Sequence, residues 1–181
     1  MRLEPRRDGN PKPLLLAAYL LGLGLLALSA LAAPEEVRPL VSVVVFLEAL
    51  LMGALVYWIA SSPERLHYQL GGDLLVVHGP LRGREVRRAD VLRAFPVKYR
   101  LPFPWRKGQG TSLPGFHTRR GIPLGRFAFE PPPPGLPKDT PVEAYVGAGK
   151  GDGVLLLLRG RALLLNSEDP RPLLEWAGGE G

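Results

Sequence analysis

The 181-residue sequence contains no cysteine. That removes disulfides, thiolate metal sites and cysteine nucleophiles together, and leaves the redox compartment open. Amides are almost as scarce: Asn10 and Asn166 are the only asparagines, Gln69 and Gln109 the only glutamines, and leucine, arginine, glycine and proline are abundant. Such a bias is expected of a heat-adapted source. Histidine is limited to His67, His78 and His117, none with a second histidine or acid at a ligand interval on a helix, so neither a metal nor a cofactor is expected. Charge, finally, is nearly missing from two long stretches before residue 61.

The first stretch, residues 13–33, has no charge. At ~1.5 Å rise per residue it is long enough to cross a hydrocarbon layer of ~30 Å as a helix. The second, residues 39–60, is as long, carries a single ionisable group, Glu48, and ends in Tyr57 and Trp58, residue types that favour the membrane–water interface. Only PEEVR separates them, so they form an antiparallel hairpin. A basic start and the small residues Ala30-Leu31-Ala32 also fit a cleaved signal peptide, but the apolar run is longer than a usual signal core, and cleavage would leave almost nothing before the second span. Arg2, Arg6, Arg7 and Lys12 precede the first span, Arg38 alone lies in the turn, and Arg65, Arg82, Arg84, Arg87 and Arg88 come after the second. The positive-inside bias then makes this a two-span cell-membrane protein with both termini cytoplasmic. The expected organisation is a basic tail (1–12), the hairpin (13–60) and a cytoplasmic domain (61–181).

Glu48 lies near the middle of its span, where an ionised carboxylate is costly, so it reads either as a functional relay group or as helix glue. Symmetric pairing about the PEEVR turn puts it level with Leu25, and its lean toward the helix N-terminus brings its carboxyl toward Ser29, where a protonated Glu48 could be satisfied. No second acid, histidine or lysine continues a relay, which favours packing or subunit contact. Ala18-xxx-Gly22 and Ala49-xxx-Gly53 permit close helix approach, within the hairpin or in a homodimer.

After residue 63 the pattern changes to short apolar runs cut by glycine and proline, the rhythm of a β domain. LHYQL, DLLVVHG and REVRR suggest a three-stranded start, with ADVLRAF as a strand end or short helical turn. EAYVGAG, GVLLLLRG and RALLLN come next, the last two joined at Arg159-Gly160 as a tight hairpin. PPPPG at 131–135 is a stiff surface connector. At the end, Asp169 caps a helix with Pro170 at its first position, Leu173, Trp176 and Ala177 on one face, and Gly178-Gly179 as the stop.

No catalytic constellation stands out, and the protein is expected not to be an enzyme. Ser112 lies in GTSLPG, which lacks both the spacing of a nucleophile elbow and the helix that comes after one, so it reads as a turn serine. GAGKGDG (147–153) has Gly151 where a phosphate loop needs Ser or Thr and runs into a strand, so it reads as a glycine-rich hairpin turn. The strongest signal is charge. Residues 81–129 hold twelve Lys or Arg against Glu85 and Asp90, a local +10 within a chain of net +6. Arg100, Trp105, Arg106 and Lys107, with Phe103, form an aromatic and basic stretch, and Arg119-Arg120 form another basic pair, in a loop. Near anionic headgroups such residues gain ~1 kcal/mol each. The bland reading is a solvated arginine rim that enforces orientation and solubility. Nucleic acid is disfavoured, since no recognition motif is present.

DLLVVHG, ADVLRAF, GTSLPGF with Gly125 and Phe127, and GVLLLLRGRALLLNSEDPRPLLEWA together resemble the bacterial pleckstrin-homology-like domains of small membrane proteins, over roughly residues 66–177. The resemblance implies a bent sheet or open barrel of about seven strands closed by a C-terminal helix, with no catalytic role. The FPWRKGQ segment and the PPPPG insertion depart from that pattern. The expected function is a non-enzymatic, membrane-anchored domain that binds anionic lipid headgroups or a protein partner at the cytoplasmic face. The alternative is an accessory subunit of a membrane complex, acting through the hairpin and Glu48.

Overall fold

The two long apolar runs fold as helices. The computed structural model describes residues 1–80, 83–103 and 110–178. A short strand β1 (Arg2–Leu3) precedes helix α1 (Lys12–Ala32, 21 residues), and after a tight turn comes helix α2 (Arg38–Ala60, 23 residues). Both are long and apolar enough to cross a membrane, and their apolar stretches are unburied. Asn10–Ser61 forms one compact unit, and Met1–Gly9 together with Ser62–Gly181 forms another.

Within the hairpin, Ala49 and Gly53 supply the close approach that their spacing promised. The Tyr19 hydroxyl donates to the Ala49 carbonyl at 2.9 Å, and a Cβ on Gly53 would stand 2.7 Å from that hydroxyl. Gly22 takes no such part, since a Cβ there would meet nothing within 4 Å. The Ser29–Glu48 bond is not formed. Ser29 donates instead to the Leu26 carbonyl of its own helix at 2.7 Å, a local acceptor always within a helical serine's reach, and Glu48 is exposed on the hairpin.

After the short helix α3 (Ser62–Arg65), the β domain runs β2 (His67–Leu70), β3 (Leu74–His78), β4 (Arg84–Arg87), a 3₁₀ turn at Arg88–Asp90, and β5 (Val91–Arg100). It continues with β6 (Ser112–Leu113), β7 (Phe116–Pro123), β8 (Ala128–Glu130), β9 (Pro141–Val146), β10 (Lys150–Leu158), β11 (Arg161–Leu165) and helix α4 (Arg171–Trp176). Strands β1-β2-β3-β4 make a four-stranded sheet, and β6-β7-β9-β11-β10-β5-β8 a curled seven-stranded half-barrel. The ADVLRAF segment has the expected helical turn at its start and then opens strand β5 instead of ending a strand.

Two expectations need correction. Residues 1–12 are not a separate tail: β1 pairs antiparallel with β2, Leu3 is buried, Pro5 bridges Ser167, and Asp8 N–H donates to the Gly147 carbonyl at 3.1 Å. An edge strand exposes unpaired amides, and the first residues of the chain satisfy those of β2. GAGKGDG, likewise, is no hairpin turn. Its later residues belong to β10, and β11 lies between β9 and β10, paired parallel to the former and antiparallel to the latter, so the glycines carry the chain past a strand not yet laid down.

The apolar runs of β10 and β11 do not alternate with polar residues because both faces of the sheet are covered. Val154, Leu156, Leu158, Leu163 and Leu165 pack with Tyr68, Leu75 and Val77 of the small sheet and with Leu173 and Trp176 of α4. Leu155, Ala162 and Leu164 face the inside of the curl with Val97, Tyr99, Val142 and Val146. Helix α4 starts one residue later than expected: Pro170 occupies the cap position, and Asp169 Oδ1 accepts from the Arg171 N–H at 3.1 Å.

Candidate functional site

A cavity of about 660 Å³ opens between the chain start, the end of β5, the start of β10 and β8. Arg6, Arg7, Lys98, Arg100 and Lys150 line it, against Asp8, Glu130 and Asp152. Strand register distributes these charges. Lys98 lies opposite Asp152 on one side and Glu130 on the other, so it is flanked by carboxylates. Arg100 lies opposite Lys150 on one side and Ala128 on the other. Directly opposed residues have Cβ atoms about 5 Å apart, and like charges at that distance repel. Among the described residues neither Arg100 nor Lys150 has a carboxylate partner that relieves this. Arg6 reaches Asp152 at 3.8 Å, a contact between two largely exposed side chains that is worth little. Positive charge therefore accumulates at one end of the cavity.

On the other side of Asp8 lies a hydrogen-bonded chain. Asp8 Oδ1 accepts the Gly115 N–H at 2.8 Å, and Oδ2 accepts the Gly149 N–H at 2.7 Å. His117 Nε2 stands 2.9 Å from Oδ2, and His117 Nδ1 stands 2.6 Å from Ser112 Oγ. Burial works to raise the Asp8 carboxyl, but the two amides and the imidazole outweigh it, and the group is held below the usual carboxylate range. An ionised carboxylate only accepts, so Nε2 carries a proton toward Asp8, and in the neutral imidazole Nδ1 accepts from the Ser112 hydroxyl. Ser112 and His117 are register partners across the β6–β7 hairpin, whose turn is made at Gly115, φ +78°. A side chain at residue 115 would also come within 2.7 Å of the Gly9 carbonyl, so glycine is required twice over.

The expected basic face is not assembled as the sequence suggested. Arg100 is exposed and lines the cavity. Arg119 points inward, 3% exposed, with its guanidinium donating to the carbonyls of Thr111 at 3.2 Å and Thr118 at 2.7 Å. Its Nε has no acceptor, and burial lowers its pKa. Arg119 and Arg120 lie in strand β7, and alternation puts Arg119 on the side of His117 and only Arg120 outside, which corrects the expectation of a basic loop pair. Arg120 is held by Tyr145: its guanidinium donates to the tyrosine hydroxyl and lies 5.2 Å from the ring centre. Trp105, Arg106 and Lys107 lie outside the described residues. Sequence reasoning missed Arg6, Arg7, Lys98 and Lys150 as site residues. The signal for Lys98 was present, since Lys98 and Arg100 at alternate positions of one strand share a face. The other three come together with them only through sheet pairing.

Comparison with known proteins adds no relative: no family model, no curated protein and no solved structure matches this chain.

Proposed function

We propose that this protein is a membrane-anchored domain of the pleckstrin-homology-like kind that captures phosphate-bearing anionic lipid headgroups in the basic cavity, at the cytoplasmic face. The observation that carries the reading is the Arg100–Lys150 pair, two cations in register without a carboxylate between them, which an anion seated there relieves of repulsion. Arg6 and Arg7 add charge from the chain start, within six residues of the first span in sequence. Phe103, 81% exposed and three residues beyond Arg100, offers an apolar group of the sort that enters a bilayer interface. Cytoplasmic placement is supported by the arginine excess flanking the spans, against one arginine in the turn.

The test uses the full chain, because residues 1–9 are part of the β domain and a fragment beginning at residue 63 lacks them. In nanodiscs of mixed neutral and anionic phospholipid, lipids retained by the protein are counted by native mass spectrometry. Anionic lipid should be retained selectively and less so as salt rises. Arg100→Glu with Lys150→Glu should weaken retention by at least about tenfold, at ~1 kcal/mol per basic residue lost. Equal retention of both lipids, or indifference to the double reversal, would rule the reading out.

A second reading draws on Glu48, whose carboxyl is exposed on the hairpin and makes no hydrogen bond among the described residues. An accessory subunit that docks through its spans would present such a group to another membrane helix. Glu48→Ala should then abolish activity that the Arg100/Lys150 reversal spares.

A further inference from the structure

The geometry points to a nucleophilic relay in Ser112, His117 and Asp8, and with it an acyl-transfer activity toward carboxylic esters, independent of headgroup capture. Such relays are recognised by geometry and roles rather than by sequence order. Each link is within the range a relay needs, 2.6 Å from Ser112 Oγ to His117 Nδ1 and 2.9 Å from His117 Nε2 to Asp8 Oδ2. The links also run in the required direction. Ser112 is exposed, His117 is 8% exposed, and Asp8 is anchored behind it by the Gly115 and Gly149 amides. The carboxylate at Nε2 selects the tautomer in which the neutral imidazole presents Nδ1 to the serine as the base.

Nucleophile and base are held by strand pairing rather than by a strand-to-helix elbow. Ser112 and His117 are opposed residues of one hairpin, so the register fixes their separation. Arg119 supplies charge of the useful sign. Its guanidinium is bonded to the carbonyl of Thr111, the residue before Ser112, and among the described residues no carboxylate neutralises it. A fixed positive charge beside the nucleophile favours the negative charge that develops on an attacked carbonyl.

In the reaction, Ser112 Oγ forms a bond to the ester carbonyl carbon as its proton passes to His117 Nδ1. The bond from that carbon to the leaving oxygen then breaks, and the leaving group takes the proton from His117. Water, deprotonated by His117, attacks the acyl-serine, releasing a carboxylic acid and restoring the hydroxyl. Ser112 and His117 are the catalytic residues, and Asp8 is a positioning residue that holds the tautomer.

The test is hydrolysis of p-nitrophenyl acetate by the full chain in detergent at pH 8, with mass mapping of the adduct left by a fluorophosphonate, which loses fluoride to an activated serine. A single adduct on Ser112 is expected, with turnover that falls at least about 100-fold in Ser112→Ala and in His117→Gln. Asp8→Asn should lower kcat with KM unchanged. Ser112 is exposed, so Ser112→Ala tests the relay without disturbing the core, and an unchanged melting curve verifies that. The proposal is overturned by absence of an adduct, by an adduct on another residue, or by hydrolysis indifferent to Ser112→Ala.

Discussion

The hairpin and the β domain satisfy their polar groups in opposite ways. In the hairpin the partners are close at hand: Ser29 donates three residues back along its own helix, and Tyr19 reaches a backbone carbonyl of the neighbouring helix. In the β domain the partners are far apart in sequence. The Tyr68 hydroxyl donates to the Tyr145 carbonyl at 2.8 Å, and fully buried Asn166 accepts the Gly147 N–H and donates to the Arg6 carbonyl, each at 2.8 Å. A long apolar helix has few polar partners beyond its own turns and its neighbour's backbone, whereas a curled sheet can use one buried side chain to tie three segments together. Damage to the hairpin should therefore stay local, and damage to the β domain should spread.

The sharpest way to break this contrast is Asn166→Ala. It leaves the Gly147 amide and the Arg6 carbonyl without partners and should cost about 3–4 kcal/mol, read by denaturant unfolding under near-ultraviolet circular dichroism. Leu156→Ala, at a position with no exposure, should cost about 3 kcal/mol by the same measurement. Gly53→Val drives a side chain into the Tyr19 hydroxyl and should loosen the hairpin by about 2 kcal/mol, seen as lost cross-linking between cysteines placed on the two helices, with domain unfolding unchanged.

Acid sensitivity at Asp8 is a smaller effect. Its carboxyl is depressed in the folded protein, so the stability it contributes is complete above the unfolded value of about 3.9 and is lost as pH falls through the folded one. Because the group is partly exposed, the loss should stay below about 1 kcal/mol. Melting curves between about pH 5 and 2 should show it, and Asp8→Asn should remove that component. Smallest of all, Leu28→Ala on the outward face of α1, 63% exposed, should leave the β domain within about 0.5 kcal/mol of the parent in denaturant unfolding.

The elements whose pattern is local were legible. Long apolar runs marked the helices α1 and α2, glycine and proline punctuation marked β2, β3 and β4, and the Leu-rich runs about Arg159-Gly160 marked the β10–β11 hairpin. The site was legible only in Arg100. A run of basic residues says how much charge is present, but strand alternation decides which side chains reach water, and it turned Arg119 inward while leaving Arg120 outside against Tyr145. The relay was illegible because Asp8 and His117 are 109 residues apart, and the partner that gives Ser112 a role lies in a segment that reads as a basic tail.

By itself the sequence determined two helices long and apolar enough to cross a membrane, the β character of the chain beyond them and the excess of positive charge, because length, periodicity and composition act within a turn or a strand. Tertiary structure alone decided that the first nine residues complete the β domain, that β11 inserts between β9 and β10, and that Asp8, His117 and Ser112 meet. Those outcomes depend on sheet register and chain crossings, whose energies belong to pairs of distant segments and to neither segment alone.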